Sequence, residues 1–229
     1  MNMRDNDSQV VEQYKSFMKI DSFPTFTTEY YDLEKNATYS RIARAEYSSK
    51  DGTYKLLLPR NISMPKFILF HELTHIFDTD KYKNGNQTHD CCLSGYMEYH
   101  AAQIELMKIV GFETVETVAS FSMEDSIAEM NETVRQYVNN KLEIAQSLIE
   151  SHETKEKIDG IGASFNFFGL KSICSMYATD YTDDYIYQRV SMYMSTQLLF
   201  CIRTFMTGWI KDVDKAVCLY SNVVAEVLG

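Results

Sequence analysis

Residues 65–75, Pro65-Lys66-Phe67-Ile68-Leu69-Phe70-His71-Glu72-Leu73-Thr74-His75, decide how this chain is read. On a helix, residues four apart share a face, so His71 and His75 can offer imidazole nitrogens to one metal ion. Glu72 projects from the neighbouring edge of that face, where a carboxylate that does not ligate can take a proton from water. Composition alone would produce this HExxH pattern in roughly 1 % of such chains. The flanks therefore matter. Ser63 and Pro65 resemble a helix start, and Phe67, Ile68 and Phe70 lead into the motif as a buried helix would.

Upstream lies a hairpin signal. Residues 41–48 and 53–58 flank Lys50-Asp51-Gly52, and Asp-Gly supplies the positive backbone dihedrals of a tight turn, with Pro59 ending the second run. A small antiparallel sheet is thus expected before the metal helix. Residues 8–20 place Val10, Val11, Tyr14, Phe17 and Met18 at helical intervals, whereas residues 23–40, broken by Pro24, read as extended or loop structure.

Downstream, the metal helix is expected to reach about Asp78, followed by a polar loop over residues 80–90 and a helix over 95–110. A catalytic zinc site usually has three protein ligands, so a third must come from elsewhere in the fold. Position 78 is Asp and position 81 is Lys, which excludes the metzincin pattern of Gly and a third His. Glu98 has the right chemistry on the next helix. His100, two residues on, points about 160° away, and Glu105 lies two turns further along, so Glu98 is favoured over both. Asp78 can either orient a ligand imidazole or stand as a solvated carboxylate at the helix end, and Tyr96, Tyr99, His89 and His100 are candidate donors to a developing oxyanion.

These residues carry a resemblance. A strand hairpin, apolar residues into HExxH, then a helix bearing Glu98-Tyr99-His100-Ala101 resembles the gluzincins, and in particular the ImmA/IrrE-type metallopeptidases, over about residues 40–111. The resemblance implies Zn²⁺ bound by His71, His75 and Glu98, with Glu72 as general base. It also implies a zinc metalloendopeptidase cleaving a cytosolic regulatory protein, and a sheet whose edge strand can take an extended peptide beside the metal. Ala102 stands where thermolysin-like gluzincins carry an acidic residue four after the third ligand.

The remaining chain sets the frame. All three prolines fall at or before Pro65, and the following 164 residues suit a run of helices, including one long helix over 122–149 and others over 183–209 and 213–228. Gly160, Gly162 and Gly169 interrupt a further segment. The fold expected is α+β and mostly helical, a small antiparallel sheet on a zincin helix pair with a C-terminal helical bundle. Residues 1–111 form the catalytic core, with 112–229 packed on it. A net charge of −10 disfavours nucleic acid and anionic membrane as partners, leaving a protein or peptide substrate. Five cysteines, an odd number including adjacent Cys91 and Cys92, make no disulfide framework. With a polar N-terminus and no long apolar run, the cytoplasm is the expected compartment. The other reading open to these residues is a helical binding or regulatory protein with a structural or silent metal site. Glu72 favours the enzyme, since a structural ion has no use for a base.

Overall fold

The sheet forms where the turn chemistry places it. In the computed structural model, which describes residues 3–32, 43–60, 62–128, 130–182, 195–205 and 207–229, strands β2 (Arg44–Ser48) and β3 (Thr53–Pro59) pair antiparallel with Tyr47 opposite Tyr54. Gly52 turns the hairpin at φ 70°, and the Asp51 carboxylate accepts the Thr53 N–H and hydroxyl. The sheet is mixed, not wholly antiparallel. Strand β1 (Phe26–Tyr31), inside the stretch read as extended or loop, adds parallel to the far side of β3. The order β1-β3-β2 leaves β2 at an edge.

Helix α1 (Met3–Met18) precedes the sheet and buries Tyr14 and Phe17 edge-on against Phe70. The Tyr14 hydroxyl donates to Thr74 Oγ1 at 3.0 Å, so the motif helix is tied from behind. That helix, α2 (Lys66–Tyr82), follows N-cap Pro65 and runs a turn past Asp78. Helix α3 (Gln87–Ile109) starts eight residues earlier than its apolar pattern implied. The expected polar loop thereby shrinks to residues 83–86. Asn86 accepts the His89 N–H, and the Asp90 carboxylate accepts the N–H groups of Asn84 and Gly85. Polar residues here cap a helix instead of extending a loop.

The long helix expected over 122–149 does not form. Residues 110–128 and 130–133 are irregular, held by short bridges of Phe121 to Ala178 and Ser126 to Thr133. Helix α4 (Val134–Ile149) begins instead at a capping box, in which Thr133 Oγ1 accepts from Gln136 N and Gln136 Oε1 accepts from Thr133 N. Helix α5 (Thr154–Tyr177) runs unbroken through its three glycines and is buried on nearly every face from Gly160 to Cys174. At Gly169 a Cβ would lie 2.1 Å from the Tyr99 carbonyl oxygen, so glycine permits the contact of α5 with α3. Helices α6 (Thr196–Phe205) and α7 (Val213–Leu228) follow. Residues 183–194, within the helix expected over 183–209, lie outside the described residues.

One apolar cluster joins Tyr14, Phe70, Tyr99, Val138, Phe165 and Val223, so residues 112–229 share a core with residues 1–111. Among the described residues no helix is long and apolar enough to cross a membrane.

Candidate metal centre

Helices α2 and α3 are joined by four residues and run side by side, which brings their polar faces together. His71, His75 and Glu98 each offer one ligand atom, all within 4.8 Å of one another. Nε2 of His75 is 3.1 Å from Nε2 of His71. Oε1 of Glu98 sits 3.6 Å from Nε2 of His75, and its Oε2 sits 3.8 Å from Nε2 of His71. Tetrahedral zinc at about 2.0–2.1 Å from each ligand separates neighbouring ligand atoms by about 3.4 Å. The donor set and its spacing fit such an ion. Both histidine side chains are nearly buried, while Glu98 is 33 % exposed and opens the group to solvent.

Glu72 is outside this group. Its Oε2 accepts the backbone N–H of Ala45 at 2.6 Å, so the carboxylate is pinned to edge strand β2. One oxygen is held by a fixed donor, and Oε1 has no hydrogen-bond partner among the described residues.

The second nitrogens of the two imidazoles differ. Nδ1 of His71 is 2.6 Å from Oε2 of Glu105, an ion-pair distance without the alignment of a good hydrogen bond. Glu105 is buried, receives the Tyr137 hydroxyl, and has Lys141 Nζ at 3.5 Å. Burial pulls the His71 pKa down, but Glu105 foremost, with Glu72 and Glu98, outweighs it and leaves His71 pushed up to about 9. Burial pushes Glu105 the other way, and Lys141, His71 and the Tyr137 hydroxyl hold it down at about 2. Nδ1 of His75 has no hydrogen-bond partner among the described residues.

The competitors for third ligand take other places. Glu105 lies behind His71, on the ring nitrogen turned from Glu98. His100 binds the fully buried Asp78 carboxylate through Nδ1 at 2.8 Å, stacks on Tyr96 and meets Trp209 edge-on. Asp78 therefore orients His100, not a ligand imidazole, because three residues past His75 the helix has turned its side chain toward another part of α3. The candidate oxyanion donors are also engaged elsewhere. Tyr99 donates its hydroxyl to the Gly208 carbonyl, and His89 lies between Asp90 and Asp214.

Three contributors were missed from sequence: Ala45, the Tyr137–Lys141 pair, and Asn166 on α5, whose Nδ2 donates to Glu98 Oε2 at 3.3 Å. For Glu105 a signal existed, since seven residues past Glu98 is two turns along the same face. Comparison with family models, curated proteins and solved structures finds no match.

Proposed function

We infer that the chain is a zinc-dependent peptidase that cleaves a protein or peptide, with His71, His75 and Glu98 as ligands and Glu72 as general base. The observation that carries this reading is the pairing of an HExxH helix with a carboxylate from the next helix, while Glu72 is bonded to the Ala45 N–H of the sheet. Bound there, zinc supplies Lewis-acid polarisation of the scissile carbonyl and acidification of a water. The protein's own groups do the rest. With Oε2 fixed by the Ala45 N–H, Oε1 of Glu72 takes the proton of the attacking water and then delivers it to the leaving amine nitrogen.

Strand β2 supports a peptide substrate. It is the sheet edge on the Glu72 side, and an extended segment can add along it on either side of the Ala45 N–H that Glu72 occupies. A cytosolic regulatory protein is the substrate class proposed, as the resemblance to the ImmA/IrrE-type family implies. Five free cysteines accord with a reducing compartment.

Glu72→Gln tests the reading, because it keeps the side chain's shape and removes proton acceptance. Loss of a positioned acid-base group costs about 10² to 10⁴ in rate. Zinc content of wild type and variant is measured by elemental analysis, and cleavage is scored on peptide libraries and on a cell extract. Equal zinc with cleavage lost in the variant is the expected result, and undiminished cleavage by Glu72→Gln removes the proposal.

A further inference from the structure

Behind His71 lies a buried carboxylate that the hydrolytic chemistry does not use. Glu105 on α3 is 1 % exposed, and three groups from two other helices converge on it: His71 from α2, and Tyr137 and Lys141 from α4. A carboxylate is costly to bury unless charge and donors meet it, so this convergence holds Glu105 ionised and fixed in place. The atom it meets is Nδ1 of His71. Nε2 of the same ring is the atom that neighbours His75 and Glu98. A carboxylate against Nδ1 keeps the proton on that nitrogen, frees the lone pair of Nε2 for a metal, and stops the ring from rotating. At the Nδ1 of His75 no carboxylate lies within ion-pair distance among the described residues.

We propose that Glu105, clamped by Tyr137 and Lys141, is the positioning residue of the metal centre: it sets the tautomer and orientation of His71 and so makes retention of the ion depend on α4, outside both the HExxH motif and Glu98. The clamp explains why a helix some sixty residues beyond the motif in sequence sends a tyrosine and a lysine, one turn apart, to a single buried oxygen. It also gives residues 112–229 a part in the site. The proposal rests on the reading that His71, His75 and Glu98 bind a divalent ion, and the experiment separates the two.

Full-length wild type, Glu105→Gln, Tyr137→Phe and His71→Ala are titrated with zinc alone against a chromophoric chelator, and the His71 ring of the zinc-loaded forms is followed by ¹H–¹⁵N NMR. Wild type should bind one zinc, His71→Ala should lose it, and Glu105→Gln should bind about 10- to 100-fold more weakly. Tyr137→Phe should fall between wild type and Glu105→Gln. The Nδ1–H signal of His71 should lie far downfield in wild type and move upfield in Glu105→Gln, a change that a loss of general stability does not produce. Tyr137→Phe keeps the carboxylate and its charge, and carries the test where Glu105→Gln does not fold. Affinities of both variants within twofold of wild type, with an unmoved His71 signal, overturn the role of Glu105. Equal zinc binding by wild type and His71→Ala is a different result: it removes the metal site, and the proposal with it.

Discussion

Two alanine substitutions on one face of α5 should change stability in opposite directions. Gly162 and Gly169 are seven residues apart in the same buried helix. Replacing a mid-helix glycine by alanine gains about 0.5–1 kcal/mol through the unfolded chain when the new methyl group has room. At Gly162 it has room, since a Cβ would meet only Glu98 Cγ at 3.9 Å, an ordinary contact. At Gly169 it does not. The Cβ would lie 2.1 Å from the Tyr99 carbonyl oxygen and 2.9 Å from Ala102 Cβ, and backbone cannot swing aside. Overpacking of this kind costs about 1–3 kcal/mol, and backbone as the obstacle places the cost near the upper end, leaving a net loss of about 2 kcal/mol. For a chain of this size 1 kcal/mol shifts Tm by about 2–4 °C. Gly162→Ala should therefore melt about 1–4 °C above wild type and Gly169→Ala about 4–8 °C below it. Relief of the clash requires α3 and α5 to part by on the order of 1 Å, and Tyr99 adjoins Glu98. Ligand positions tolerate only about 0.2 Å, so Gly169→Ala should also weaken zinc binding while Gly162→Ala leaves it unchanged. Calorimetry and chelator competition read both effects. Shifts of Tm in the same direction, or a neutral Gly169→Ala, would refute the packing argument.

Glu98→Gln should abolish tight zinc retention, and zinc content equal to wild type would remove Glu98 from the ligand set. Asp78→Ala should cost about 2–4 kcal/mol by leaving His100 without its buried acceptor, with zinc stoichiometry unchanged; loss of zinc in the folded variant would tie Asp78 to the metal after all. Thr133→Ala should lose about 1 kcal/mol as the capping box of α4 opens, and an unchanged urea midpoint would contradict it. The Met123 N–H and the Ser122 hydroxyl hold the Asp180 carboxyl below the usual range. A depressed folded pKa gives stability that is present above about pH 4 and lost as the pH falls through the folded value, so Asp180→Asn should flatten the acid limb of the stability curve, and parallel acid limbs would count against the bond.

What sequence disclosed and what it hid divide along one physical line. His71, Glu72 and His75 were legible because a single helix carries them and its period fixes who shares a face. The hairpin was legible because Asp51-Gly52 demands one backbone conformation. Even the placement of Glu98 needed only one step beyond local geometry, since a four-residue connection forces α3 back along α2 and brings Glu98 past both histidines. The errors arose where polar residues had two local uses. The helix expected over 122–149 does not begin at Ser122, where Asp125 accepts the Ser122 N–H within a turn, and the capping box sits at Thr133 and Gln136. The polar residues over 80–90 read as loop but close α3 around Asn86 and Asp90.

The outer supports of the site are a different case. Tyr137 meets Glu105 across 32 residues, Asn166 meets Glu98 across 68, and Ala45 meets Glu72 across 27. None of these distances is a period of helix or strand. They are set by how α4, α5 and the sheet pack on the α2–α3 pair, and that packing is decided by volumes: glycine at 169 where Tyr99 presents backbone, and a buried face on α5 that turns Asn166 toward Glu98. A metal-ligand motif thus travels in sequence as a spacing, while the groups that orient its ligands travel as shape. An HExxH chain whose second half packed differently would keep His71, Glu72 and His75 on their helix and lose the α4 groups that meet the buried carboxylate behind His71.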